Sequence, residues 1–209
     1  MASSEPRELR GLVPFEVGAV LVLAAAPLPE SVPMALPLFV VASLSRWMRG
    51  RDWGQLVGRD RRAAAVSAVA GLVALGLAVV GTPFVELMSN RVVEWSAFPV
   101  VRGSAMQAAL VALIAVAMAT ASELALRGWI VERVMELSPG PPILPVLVGA
   151  IAEGLVAQGD LASRIGAGVF GAGLGWIYVS SGRNVVAPIC ARVVFGLGAV
   201  CLEALRLIG

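Results

Sequence analysis

The stretch SAMQAALVALIAVAMATASELALRGW, Ser104 to Trp129, decides the fold. It opens with a long alanine-rich run without a single charge, long enough at 1.5 Å per residue to cross the ~30 Å core of a bilayer as a helix. Glu123 and Arg127 then follow in the same apolar register. Four residues apart on a helix, they lie about 40° apart on one face and can pair. An ionisable pair inside a span costs several kcal/mol to bury and marks the bundle interior.

The rest of the chain has the same character. Of 209 residues 58% are apolar and 14% charged, and the mean hydropathy is +0.87. Soluble domains carry about 25% charged residues. A chain this apolar could not cover its own surface in water, so the reading is an all-α polytopic transmembrane helix bundle of about seven spans, six to eight, forming one transmembrane domain over residues 1–209. The spans run roughly Leu12 to Leu28, Met34 to Trp47, Ala63 to Val80, Ser104 into Trp129 with an amphipathic continuation from Ile130 to Leu137, Ile143 to Ala157, Ile165 to Ser180 and Asn184 to Ile208. Proline-rich turns at Pro27–Pro33 and Ser138–Pro142 break the pattern, and a loop of mixed charge is expected near Gly81 to Gly103. The polar N-terminus, Met1 to Arg10, is a poor signal peptide, so the first span reads as retained.

All sixteen basic residues are arginine, and six of them, Arg46, Arg49, Arg51, Arg59, Arg61 and Arg62, crowd between the second and third spans. By the positive-inside rule this stretch, and with it the N-terminus, is cytoplasmic, with the inner (plasma) membrane of a bacterium as the expected location. Trp47 and Trp53 read as interfacial anchors. The net charge of +2 and the absence of basic–aromatic runs give no nucleic-acid signature. There is no histidine, which removes Ser-His-Asp triads and histidine-rich zinc sites. Cys190 and Cys201, about 16 Å apart along one helix, cannot bond each other there. No cofactor and no metal are expected.

Glu153 sits inside the fifth span and Arg192 inside the seventh, with Glu16 near the start of the first. Glu123, Arg127, Glu153 and Arg192 sum to zero and are expected to meet in one polar pocket, either as a packing device or as a site. Five glycines of the sixth span, Gly166, Gly168, Gly171, Gly173 and Gly175, allow close helix contacts.

Three blocks between Ser104 and Leu207, the core of the chain, resemble the CPBP intramembrane proteases, relatives of the type II CAAX prenyl endopeptidases and also called the Rce1-like or ABI family. The first block is Ser122-Glu123-Leu124-Ala125-Leu126-Arg127-Gly128, against a family pattern of a glutamate pair, three spacers and Arg-Gly. The second is Glu153-Gly154-Leu155-Val156-Ala157, against Phe-Gly-x-x-His. The third is Ala187-Pro188-Ile189-Cys190-Ala191-Arg192 with Gly196 four residues on, against Ala-Pro-Ile-x-x-His and a following Asn or Asp. The resemblance implies an intramembrane endopeptidase in which the first glutamate, both histidines and the asparagine activate water and hold the oxyanion. Those positions are here Ser122, Ala157, Arg192 and Gly196. Serine is a poor base without an activating partner, alanine and glycine offer no polar side chain, and arginine cannot be deprotonated. Only Glu123 and Arg127 remain of the motif.

The reading is therefore a pseudoprotease that binds or regulates another membrane protein, or a transmembrane or lipidated peptide, in contact with the bilayer. The alternatives are an active glutamic-type endopeptidase with a relocated site, Glu123 or Glu153 activating water while Arg192 polarises a carbonyl, cutting C-terminal or lipidated signals; and a small transporter.

Overall fold

In the computed structural model the described residues are 11–26, 33–58, 60–89, 104–138, 140–157 and 160–204. Almost all of them are helical. The helices are α1 (Val13–Ala25), α2 (Ala35–Met48), α3 (Arg61–Ser89), α4 (Ala105–Ala125), α5 (Glu132–Leu137), α6 (Ile143–Val156), α7 (Leu161–Ser180) and α8 (Val186–Ala204). A short 3₁₀ turn at Trp53–Leu56 precedes α3, and a π-helical turn at Leu126–Val131 joins α4 to α5.

Every expected span has its helix, and the fold is an all-helical membrane bundle. Three helices are long and apolar enough to cross a bilayer, Arg61–Pro83, Ala105–Leu137 and Val186–Ala204. α1, α2 and α6 are shorter apolar helices, about 20 Å long against a hydrocarbon core of ~30 Å. Large apolar side chains stand outward all along the helices: Phe15 is 76% exposed, Val22 72%, Val80 79% and Met106 74%. Such density of exposed hydrocarbon is what a lipid-facing surface requires.

The third helix differs from expectation at its end. It runs on through Gly81 and Pro83 to Ser89, where a loop was expected to begin. Proline removes one helical hydrogen bond, but apolar residues continue on both sides, and Thr82 Oγ1 donates to the Ala78 carbonyl at 2.9 Å within the same turn. The N-terminal ten residues, most of the Pro27–Pro33 turn, Arg59, the rest of the 81–103 loop, Pro139 and the end of the last span lie outside the described residues.

The described residues fall into two compact units. The first comprises the chain up to residue 59 and Ala121–Val185. Its core is a stripe of α1, Val13, Val17, Val20 and Ala24, packed with Leu38 and Ala42 of α2, with Ala125, Leu126, Trp129 and Ile130, and with Ala152 of α6. The 4-3-4 spacing along α1 is one helical face. α6 packs along α7, where Gly154 would push a Cβ to 2.9 Å from the Arg164 carbonyl, so a larger residue would force the helices apart.

The second unit, Asp60–Thr120 and Val186 onward, is built on α3 packed against α8. Their backbones touch at Gly71, where a Cβ would lie 2.2 Å from the Ala191 carbonyl oxygen. Gly76, one and a half turns on, would meet nothing within 4 Å among the described residues. Gly71→Val is therefore expected to cost about 1–3 kcal/mol by overpacking, and Gly76→Ala to gain about 0.5–1 kcal/mol from helix propensity. Thermal unfolding of both variants in detergent micelles checks the opposite signs.

Candidate functional site: a buried Glu–Arg–Glu network

The site belongs to the first unit and begins where α4 changes its winding. At Leu126–Val131 the helix widens from α to π. Gly128 sits in that turn with no room for a side chain, since a Cβ would lie 3.0 Å from Leu56 Cδ1 and 3.1 Å from the Trp53 ring. A π turn interrupts the regular ladder of backbone hydrogen bonds and is frequent at functional positions. Here the Gly128 carbonyl accepts from Arg46 Nη1 at 3.3 Å.

Arg127, the second residue of that π turn, is fully buried. Its Nε lies 3.3 Å from Glu123 Oε2, one turn back on α4. Its Nη1 donates to Glu153 Oε2 of α6 at 2.6 Å, and its Nη2 donates to the Gly171 carbonyl of α7 at 2.7 Å. The side chains of Glu123 and Glu153 are 0% and 8% exposed. The planar guanidinium suits this role, because its five N–H donors leave in a fixed fork and can serve several acceptors at once. The carbonyl of Gly171 comes within reach because glycine lets α7 close on α6: a Cβ there would lie 2.7 Å from Glu153 Cβ and 3.1 Å from Arg127 Nη2.

The structure thus brings together three of the four charges expected to meet: Glu123, Arg127 and Glu153. Ser122 is buried beside Glu123 on α4. Ala157 caps α6, its N–H donating to the Glu153 carbonyl at 3.0 Å. Arg192 and Gly196 lie on α8 in the second unit, Arg192 partly buried, and a Cβ on Gly196 would meet nothing within 4 Å among the described residues. Among the described residues no group of three or more His, Cys, Asp or Glu is placed to hold a metal. Cys190 and Cys201 are free thiols.

A second polar layer lies toward the Arg-rich end of the same unit, and reading the sequence did not anticipate it. Arg46 is buried rather than solvated: it stacks 4.6 Å over the Trp53 ring and donates to the Asp52 and Gly128 carbonyls. Arg51 pairs with Glu136, and Arg133 bonds the same carboxylate at 2.6 Å. Tyr178 Oη donates to Glu132 at 2.8 Å. The turn after α7 joins in through Asn184, whose Oδ1 accepts the Gly58 N–H at 2.9 Å; Gly182 and Arg183 reach it with positive φ of 72° and 66°. Trp53 therefore packs inside this layer, with its indole donating to Ser43, while Trp47 stays 77% exposed as an anchor would be. The signal for Arg46 was its place inside the second apolar span, one turn before the loop it was grouped with.

The fold and this network define a class: a helical membrane bundle whose interior holds a Glu–Arg–Glu network on facing helices. The family model described as Type II CAAX prenyl endopeptidase Rce1-like matches residues 104–197, from the start of α4 into α8. The match contains all three motif blocks and every partner of the Arg127 network. No curated protein and no solved structure matches the chain.

Arg127→Ala leaves two buried carboxylates without their cation and is expected to cost about 3–5 kcal/mol. Arg127→Lys keeps the charge but presents one compact ammonium in place of a fork, so it is expected to restore only part of that loss. Melting midpoints of the two variants against the unaltered protein measure both.

Proposed function

We propose that this is a non-cutting protein of Rce1-like fold, a pseudoprotease that holds a membrane partner: another membrane protein, or a transmembrane or lipidated peptide. The observation that carries the reading is the state of the two carboxylates. A general base must turn a lone pair toward a water within about 2.6–3.2 Å. Glu123 and Glu153 are instead both turned onto Arg127, in a part of the first unit where neither is more than 8% exposed. Buried ion networks of this kind hold helices in register. The residues at the remaining family positions supply no base: Ser122 has no activating histidine anywhere in the chain, Ala157 and Gly196 carry no polar side chain, and Arg192 stays protonated.

In the same proposal the chain lies in a bacterial plasma membrane with its Arg-rich end in the cytoplasm. What supports this is the sequence: Arg46, Arg49, Arg51, Arg59, Arg61 and Arg62 crowd into one short stretch between two apolar helices, which the positive-inside rule assigns to the cytoplasm.

The test compares protein termini in membranes from three strains: intact, deleted, and carrying Glu123→Gln with Glu153→Gln at matched expression. The expected outcome is that no cleavage disappears in the double variant beyond what its expression explains. A cleavage lost in both the deletion and the folded double variant would make the protein an endopeptidase with a relocated site.

A further inference from the structure

The second polar layer of the first unit holds more cations than its carboxylates neutralise. The guanidiniums of Arg46, Arg51, Arg133 and Arg183 meet there with the carboxylates of Glu132 and Glu136. Glu136 serves two arginines at once, Arg51 and Arg133. Glu132 accepts from Tyr178 Oη at 2.8 Å, while Arg183 Nη1 comes only to 3.7 Å from its other oxygen, too far for a hydrogen bond. Arg46 donates to two backbone carbonyls, which carry no net charge. Asp52 brings a third carboxylate, and that one accepts the Gln55 N–H. Four cations thus face three anions, one of them engaged in capping a turn.

The two outer arginines stand side by side. Glu132 and Glu136 are four residues apart on α5 and share one of its faces. Arg183 approaches the first and Arg51 the second, each from a separate connection, with side chains 53% and 22% exposed. These connections lead into α8 and α3, two of the helices long and apolar enough to cross a bilayer, so both arginines lie at the level of lipid headgroups. A second, independent observation is the backbone at Arg183. α7 ends at Gly182, whose φ of 72° supplies the left-handed residue that a helix terminus uses, and the Arg183 N–H closes the turn on the Tyr178 carbonyl at 3.0 Å. Arg183 is left-handed as well, at φ 66°, and among the described residues it is the one non-glycine with positive φ. That conformation disfavours any residue with a Cβ, and such strain gathers at ligand clamps. Glycine or asparagine would make the same turn with less strain, so the chain holds a cation here against its backbone preference.

We propose that Arg51 and Arg183 form a phosphate site that holds the headgroup of an anionic bilayer phospholipid, whose phosphodiester oxygens accept from both guanidiniums. The guanidinium fork matches the geometry of phosphate oxygens. A headgroup with a single negative charge offsets the excess cation of the layer. A zwitterionic headgroup would bring an ammonium of its own against the same arginines. Basic pockets at the ends of membrane helices recognise lipid headgroups by this chemistry. The inference rests on the membrane fold and is independent of whether the protein cuts peptides.

The experiment takes the unaltered protein in a neutral maltoside detergent and adds phosphatidylglycerol or phosphatidylcholine with the same acyl chains. Native mass spectrometry counts bound lipid, and the melting midpoint is followed in parallel. Phosphatidylglycerol is expected to bind about twentyfold more tightly, roughly fivefold for each arginine, and the preference is expected to shrink as salt rises. Arg183→Asn, which suits a left-handed backbone, is expected to lose about fivefold of that preference without lowering the melting midpoint in lipid-free detergent. Arg62→Gln, which removes an exposed arginine at the start of α3, is expected to leave the preference unchanged within about twofold. Inorganic phosphate, exchanged for chloride at constant ionic strength, is expected to leave the midpoint where it was. Equal binding of the two lipids, or a loss at Arg62→Gln as large as at Arg183→Asn, would overturn the proposal. So would a midpoint raised by inorganic phosphate as far as by phosphatidylglycerol, which would make the occupant a free anion. An Arg183→Asn protein that melts earlier yet keeps its lipid preference would make the arginine a part of the turn alone and sink the assignment. The two-lipid comparison uses the unaltered chain, so it reads out even where a variant fails to fold.

Discussion

Arg127 cannot be left alone in the interior of this protein. Removing a guanidinium from water costs several kcal/mol even after relaxation, and only well-placed acceptors offset that. Here they come from three helices: a carboxylate one turn back on its own helix, a carboxylate on α6 and a backbone carbonyl on α7. In joining them the side chain fixes α6 and α7 relative to the π turn. The glycine at 171 is a condition of that arrangement, since a Cβ would collide with Glu153 and crowd the guanidinium itself. The close approach of α7 and the burial of two carboxylates both serve one ion's need for partners.

The second polar layer carries the same logic to residues outside the matched segment. The Gly128 carbonyl in the π turn is taken by Arg46, which lies on α2. Arg51 reaches Glu136, and Gly58 reaches Asn184. The N-terminal part of the first unit therefore completes the polar end of the segment that carries the Rce1-like match. A stretch that looks like a solvated basic loop is, in three of its arginines, part of the internal hydrogen-bond structure. Arg49 makes the third such tie, to Glu16.

The helices were legible because hydrocarbon runs separated by proline and glycine leave little else a chain can do in lipid. The Glu123–Arg127 pair was legible from its i, i+4 spacing, and Glu153 from being a charge in an apolar run. Gly171 could be read only as one of five small residues on α7; which of them meets the guanidinium depends on helix rotation and crossing, which spacing does not specify. The π turn left no signal in periodicity, because a single wide turn shifts the register by less than the uncertainty in a helix end. Arg46 was misjudged because charge near a span end is ordinarily solvated, and the carbonyls that bury it lie 6 and 82 residues away in sequence.

The buried ion network and the outlying motif positions are held by different physical terms. The residues that hold the first unit together, Glu123, Arg127, Glu153 and Gly171, answer to one another, and losing any one strands a buried charge or crowds a contact. Two of the positions that the resemblance assigns to water activation, Ala157 and Gly196, are held on different terms. Ala157 acts through its backbone as the cap of α6, a job any residue's N–H can do. Gly196 stands where an added Cβ would meet nothing within 4 Å among the described residues. Neither position contributes a side chain to the hydrogen bonds and ion pairs of Arg127. The internal ion network, by contrast, can be dismantled only at a cost of several kcal/mol per step, because each removal leaves a buried charge without its partner.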